Sequence, residues 1–247
     1  TPSPAAARRG HAHNDYLHLR PLLDALEQGF GSVEADVFLV DGELLVAHTQ
    51  SELSQDRTLK RLYLEPLSQR IQQHGGSVYG DGQPLTLLID VKSDGTATFQ
   101  ALHRLLLEYR PMLAYVENDK VHPAPVRAIV SGNRAIDAIA ATSPRLVGID
   151  GRLTDLYSKL PDHLLPLISD NWQVHFDMIV ENSEFPELNE IDPVVPKIQL
   201  ACAEFANDAK GFKRNTLQTR FFETGDNYYL GKLGISQFLV TDCLSLS

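Results

Sequence analysis

The sequence predicts an α/β fold, a (β/α)8 TIM barrel built as a single domain over residues 1–247. Three observations predict it. Short apolar or β-branched runs alternate with helical stretches along the whole chain, the pattern of βα units around a parallel sheet. Eight such runs can be counted. Several end in acidic, basic or histidine residues, and in a (β/α)8 barrel that end of each strand carries the active site.

The elements follow in order. Thr1-Pro2-Ser3-Pro4-Ala5-Ala6-Ala7 reads as a flexible, trimmed start, which slightly favours an exported protein. The eight expected strands are 8–13, 32–39, 85–91, 126–131, 146–149, 165–169, 218–222 and 237–241. Between the first two, Leu19, Leu22, Leu23 and Leu26 recur at helical spacing and Gly29 closes a helix expected over 19–28. Residues 59–73 and 99–109 read as helices in the same way. Pro193 and Pro196 open a helical stretch that runs to Lys210, and 228–233 is a short helix before the last strand. Asp41-Gly42 is a two-residue hairpin turn, which swings 44–47 back along the second strand and presents His48 near Glu34. The segments 117–122 and 172–192 have weak periodicity and read as loops over the site.

Composition narrows the function classes. A formal net charge of -10 lacks the basic footprint of a general nucleic-acid binder. No apolar run approaches the ~18 residues of a membrane span. Cys202 and Cys243 lack the spacing of a thiolate zinc site and read as free buried thiols, with a single disulfide as the alternative. Oligomeric state has no signature in the chain.

The chemistry concentrates near the start. Glu34 and Asp36 are spaced i, i+2, so on a strand they share one face. Two adjacent carboxylates repel unless a positive group lies between them. One divalent cation, Mg²⁺ or Ca²⁺, suits such oxygen ligands, and Asp90 at the end of the third strand completes the set. Lys92, two residues on, is placed to neutralise a phosphate oxygen. His11 and His13 admit two readings. One of them is a general acid or base partnered by His48, or the pair ligates a metal, as in amidohydrolase-type zinc barrels.

Five pieces in order resemble the phospholipase-C-like phosphodiesterases, the superfamily of glycerophosphodiester phosphodiesterases and sphingomyelinase-D-type lipases. They are Gly10-His11-x-x-Asn14, Gly31-x-Val33-Glu34-x-Asp36-Val37, Asp41-Gly42-x-x-x-Val46-x-His48, Asp90-x-Lys92 and Leu233-Gly234-Ile235-x-x-Phe238-x-x-Thr241-Asp242. His13-Asn14-Asp15-Tyr16 with Ser32-Val33-Glu34-Ala35-Asp36-Val37 looks closest to the branch of the fungal altered-inheritance-of-mitochondria proteins. The resemblance implies a metal-dependent phosphodiesterase acting on a small-molecule or lipid-headgroup phosphodiester. Glu34, Asp36 and Asp90 would hold the ion, and Lys92 and Asn14 would meet the phosphate. His11 (or His13) and His48 would move protons, with a cyclic phosphate as a route. Ala12-His13-Asn14 stands where the glycerophosphodiesterase branch has His-Arg-Gly. The Gly-His-x-x-Asn match favours His11 over His13. The rivals are the zinc hydrolase and a barrel that only binds.

Overall fold

The computed structural model describes residues 10–152, 154–155 and 158–170, together with the backbone of 238–241. Two compact units divide after Ile149. The first is organised by β2, Ser32–Val40, whose residues 33–38 are buried on both faces. Such two-sided burial is the mark of a central parallel strand. On one side β2 pairs in parallel with the two-residue β1, His11–Ala12. The turn at Asp41 (φ 50) and Gly42 (φ 85) sends β3, Glu43–Val46, back antiparallel on β2, as expected from the Asp-Gly pair. On the other side β2 pairs in parallel with β4, Leu85–Val91, in a register that sets Asp36 opposite Asp90.

Helix α1, Leu23–Glu27, starts four residues later than the leucine spacing predicts. Leu22 has φ 63 and so cannot be helical, and its N–H is held by the Asp15 carboxylate at 2.5 Å. Leu19 is consequently 95 % exposed instead of packed. Helix α2, Glu65–Gln73, follows one wide helical turn over Lys60–Leu64, and buries Leu67 and Ile71. Helix α3, Gly95–Glu108, is capped by Asp94, whose carboxylate accepts the Ala97 N–H at 2.8 Å. It buries Phe99, Leu102 and Leu106. The expected loop at 117–122 is instead a hairpin of β5, Tyr115–Glu117, and β6, Lys120–His122, turning through Asn118 and Asp119 at positive φ. Asparagine and aspartate tolerate that conformation, which is why this turn forms without glycine. β7, Val126–Gly132, pairs in parallel with β4, and the short α4 is Ile136–Ala140. β8, Val147–Gly151, joins β7 through residues 147–149.

In the second unit Asp150 and Gly151 pair in parallel with β9, Leu167–Asp170. β10, Phe238–Thr241, pairs with β9, and it does so antiparallel. This corrects the expected closed (β/α)8 barrel. Closure needs eight parallel strands with the last bonded to the first. Among the described residues the pairing order is β1-β2-β4-β7-β8-β9-β10, and β1 bonds β2 alone, so the sheet is open. The expected strand at 218–222 lies outside the described residues, as do the N-terminal seven residues, the expected loop at 172–192, the expected helices at 193–210 and 228–233, both cysteines and Asp242. Among the described residues no helix is long and apolar enough to cross a membrane.

Candidate active site

The carboxyl ends of β1, β2 and β4 bring the expected residues to one place. Glu34 and Asp36 project from the same face of β2 and are buried, and Asp90 comes across from β4. One carboxylate oxygen from each lies within 4.8 Å of the others. That spacing suits a hard cation taking oxygen ligands. A second observation supports the fit: Asp90 Oδ1 is buried without a hydrogen-bond partner. Buried carboxylate oxygens are rarely left so unless an ion or water completes them. Gly132, at φ 67 on the neighbouring strand, leaves room for that oxygen, because a Cβ there would overlap it.

Lys92 Nζ reaches both acids, at 2.7 Å from Asp90 Oδ2 and 3.1 Å from Asp36 Oδ2. Burial works against its ammonium, but the hydrogen bonds and charges of Asp90 and Asp36 outweigh that and hold its pKa above the ordinary lysine value. Asp36 is pushed above the usual carboxylate range by burial, with Lys92 opposing and the Glu34 charge adding to the shift.

The histidines divide between the two acids of β2. His13 Nε2 lies 3.2 Å from Glu34 Oε2, and His11 Nε2 lies 3.9 Å from the same oxygen. His11 is the buried one, and its Nδ1 is 2.7 Å from Ser32 Oγ. Asn14, in the left-handed region at φ 50, turns its backbone N–H onto Glu34 Oε2 at 3.0 Å. Its side chain lies 3.5 Å from His13 Nδ1. His48 meets Asp36 and not Glu34: its Nδ1 is 3.2 Å from Asp36 Oδ2. The hairpin carries it there, and Glu52 fixes the following turn by accepting the Thr49 N–H at 3.0 Å.

Sequence reasoning gave no role to Tyr16. Its buried hydroxyl lies 2.8 Å from Asp36 Oδ2, 3.0 Å from His48 Nδ1 and 2.7 Å from Asn14 Oδ1. The signal was its place two residues after Asn14 in the His-Asn-Asp-Tyr run. Asp15, next to it, is fully buried and anchors the loop through the Leu22 N–H and the Tyr63 hydroxyl.

A cavity of about 710 Å³ adjoins Lys92 at the ends of β4 and β7. Asp94, Thr96, Asn133 and Arg134 line it, so its wall is mainly polar.

Glu34 carries a pH signature. Burial alone would raise its pKa, but the His11 and His13 imidazoles and the Asn14 N–H hold it down to about 2, against an ordinary 4.5. A carboxyl lowered on folding stabilises the native state fully above its unfolded value and loses that as pH falls through the folded one. The metal-free protein is therefore expected to lose about 3 kcal/mol from this group between pH 4.5 and 2. Urea unfolding in EDTA across that range checks it: Glu34→Gln should flatten the slope by that amount, and an unchanged slope would contradict it.

Comparison with known proteins identifies the family. A family model described as the AIM6-like phosphodiesterase domain matches residues 5–150, which include every acid, lysine and histidine of the site. An altered inheritance of mitochondria protein 6 homolog from Arthroderma benhamiae is 33% identical, over 59% of this chain and 54% of the relative. Altered inheritance of mitochondria protein 6 of Eremothecium gossypii is 36% identical, over 56% of this chain and 40% of the relative. That of Lachancea thermotolerans is 35% identical, over 51% and 34%. The chain thus spans about half or less of the length of these relatives. No solved structure matches it. The family match covers more than half of the 247 residues, and the chain belongs to the AIM6-like phosphodiesterase domain family.

Proposed function

We propose that this chain is a divalent-cation-dependent phosphodiesterase in which Glu34, Asp36 and Asp90 hold one Mg²⁺ or Ca²⁺. The observation that carries the reading is the convergence of these three carboxylates, with Asp90 Oδ1 buried and unsatisfied, beside one lysine and between two sets of histidines. A bound cation would offset the carboxylates and polarise a phosphoryl oxygen.

The chain's own groups do the rest. Lys92 lies between the acids and the polar cavity, so its ammonium is the group that meets a phosphoryl oxygen. His48, on the Asp36 side, and His11 or His13, on the Glu34 side, serve as base and acid. One takes the proton of the attacking hydroxyl as its oxygen bonds phosphorus, and the other returns a proton to the alkoxide that leaves. An attacking hydroxyl on the substrate itself would give a cyclic phosphate, a route favoured because no second molecule has to be captured. The polar lining of the cavity fits the headgroup side of a small-molecule or lipid-headgroup phosphodiester.

Turnover of bis-p-nitrophenyl phosphate and of lysophospholipids, with Mg²⁺ or Ca²⁺ and with EDTA, tests the reading. Cation-dependent cleavage is expected. His48→Ala should cut kcat by about 10²–10⁴-fold, the usual worth of a general acid or base, while cation affinity by calorimetry stays within a few-fold. Equal rates in EDTA, or full activity without His48, would overturn it. Absence of any diester cleavage would leave a binding module instead.

A further inference from the structure

The hydroxyl of Tyr16 is where the two halves of the site meet. The residue lies in the short turn after β1, its ring buried, with the Leu17 N–H bonded to the Asn14 carbonyl at 2.9 Å and Arg57 donating to its own carbonyl. Its oxygen therefore has little freedom to leave its three neighbours, Asp36 Oδ2, His48 Nδ1 and Asn14 Oδ1.

A phenol has one hydrogen to give. An ionised carboxylate is the strongest acceptor of the three, so the hydrogen goes to Asp36, and the Asn14 amide, flipped, turns its NH₂ to the phenol oxygen. A phenol with an ordinary pKa of about 10 keeps its hydrogen at neutral pH. With its hydrogen committed, the Tyr16 oxygen can only accept from His48. The other group facing His48 Nδ1 is Asp36 Oδ2, which also only accepts. Both neighbours of Nδ1 thus call for a hydrogen on that nitrogen.

The two acceptors are not equal. Asp36 Oδ2 already receives Tyr16 at 2.8 Å and Lys92 at 3.1 Å, and its carboxylate belongs to the acidic cluster that fits a cation. A carboxylate oxygen has about two lone-pair directions, so little is left for His48 at 3.2 Å. Tyr16 supplies the acceptor that Asp36 lacks.

We propose that Tyr16 is a positioning residue: its hydroxyl, tied to Asp36, accepts the Nδ1–H of His48 and fixes the imidazole as the tautomer whose Nε2 lone pair is free. The His48 side chain is 53 % exposed, so that nitrogen is available for a proton at the open side of the site. The relay runs from His48 through Tyr16 to Asp36, and it keeps the histidine's tautomer independent of whatever else the carboxylate binds. Its catalytic consequence rests on the phosphodiesterase reading. The tautomer itself does not.

Long-range ¹H–¹⁵N spectra of protein labelled at histidine nitrogens read the tautomer directly. They are recorded in EDTA, about two pH units above the ordinary imidazole value so that the ring is neutral, with His48 assigned from its loss in His48→Gln. The wild type should show Nδ1–H as the dominant form. With saturating Mg²⁺, which takes up the Asp36 carboxylate freed by loss of the phenol, Tyr16→Phe, which keeps the ring, should make Nε2–H the majority. A wild type with Nε2–H dominant, or a Phe variant with the wild-type pattern, would overturn the proposal. A second measurement needs no variant: the wild type with saturating Mg²⁺ should retain Nδ1–H, whereas loss of that form would make Asp36 the acceptor and exclude Tyr16. Where the wild type turns over a diester, Tyr16→Phe should lower kcat about 10- to 100-fold with KM within two-fold, a split that general loosening would not produce. Failure of turnover in the wild type would count against the phosphodiesterase reading alone, because the spectra decide the tautomer.

Discussion

Asp36→Asn is expected to abolish cation-dependent diester cleavage while raising the melting temperature of the metal-free protein. The two effects have one cause. Asp36 is 1 % exposed, and beyond the cost of burial the like charges of Glu34 and Asp90 act on it against the opposing Lys92 ammonium. Its carboxyl is raised above the usual range chiefly by burial, so its charge is held in the native state against a desolvation cost. Asparagine has nearly the same shape and removes that charge. The gain should appear as a higher melting temperature in EDTA. The loss should be about 10³-fold or more in kcat/KM, because the charge stabilisation supplied by a metal site is worth several kcal/mol. Thermal unfolding in EDTA and with Mg²⁺ or Ca²⁺ checks both sides. Cation at about 100 Kd should stabilise the wild type by about 2.7 kcal/mol and the variant not at all. A variant that melts lower than wild type in EDTA, or that still responds to the cation, would contradict the assignment of Asp36.

Much of this site was legible before any coordinates, for a definite reason. Strand periodicity is strict, so Glu-x-Asp and Asp-x-Lys each declare which side chains share a face. The Asp41-Gly42 turn is equally local, and it carries His48 back as expected. The partner it finds was not legible: His48 meets Asp36 because of the length of β3 and the turn held by Glu52, not because of any motif. Tyr16 was hidden for a similar reason. Its contacts with Asp36 and His48 span 20 and 32 residues and exist only because the chain after β1 tightens into a turn. The late start of α1 depends on one buried carboxylate, Asp15, gripping the Leu22 N–H. Leucine spacing carries no trace of that. The barrel expectation failed at the same level. Alternating strands and helices specify a parallel sheet, and β2, β4, β7 and β8 form one. They do not specify which edge the last strand takes or its direction, and β10 runs antiparallel to β9.

Gly132→Ala is the substitution outside the acidic cluster from which the largest loss of stability is expected. Gly132 ends β7 opposite Val91 and sits at φ 67, where a side chain costs about 1–2 kcal/mol in backbone energy alone. A Cβ there would also overlap Asp90 Oδ1 and the backbone of Val91. The side chain has a rotamer to escape into, but the strand backbone does not, since Val91 is paired to Gly132 on one side and to Val37 on the other. The sum should be about 3 kcal/mol or more, near the upper range of overpacking penalties. The methyl group also occupies the space in which Asp90 Oδ1 lies buried, so the carboxylate must turn away from Glu34 and Asp36. Urea unfolding measures the first effect, and calorimetric titration with Mg²⁺ and Ca²⁺ at low temperature, where the variant stays folded, measures the second. Affinity should fall at least ten-fold. A folded Gly132→Ala protein with unchanged stability and unchanged cation affinity would mean that the glycine is not what lets Asp90 reach the cluster.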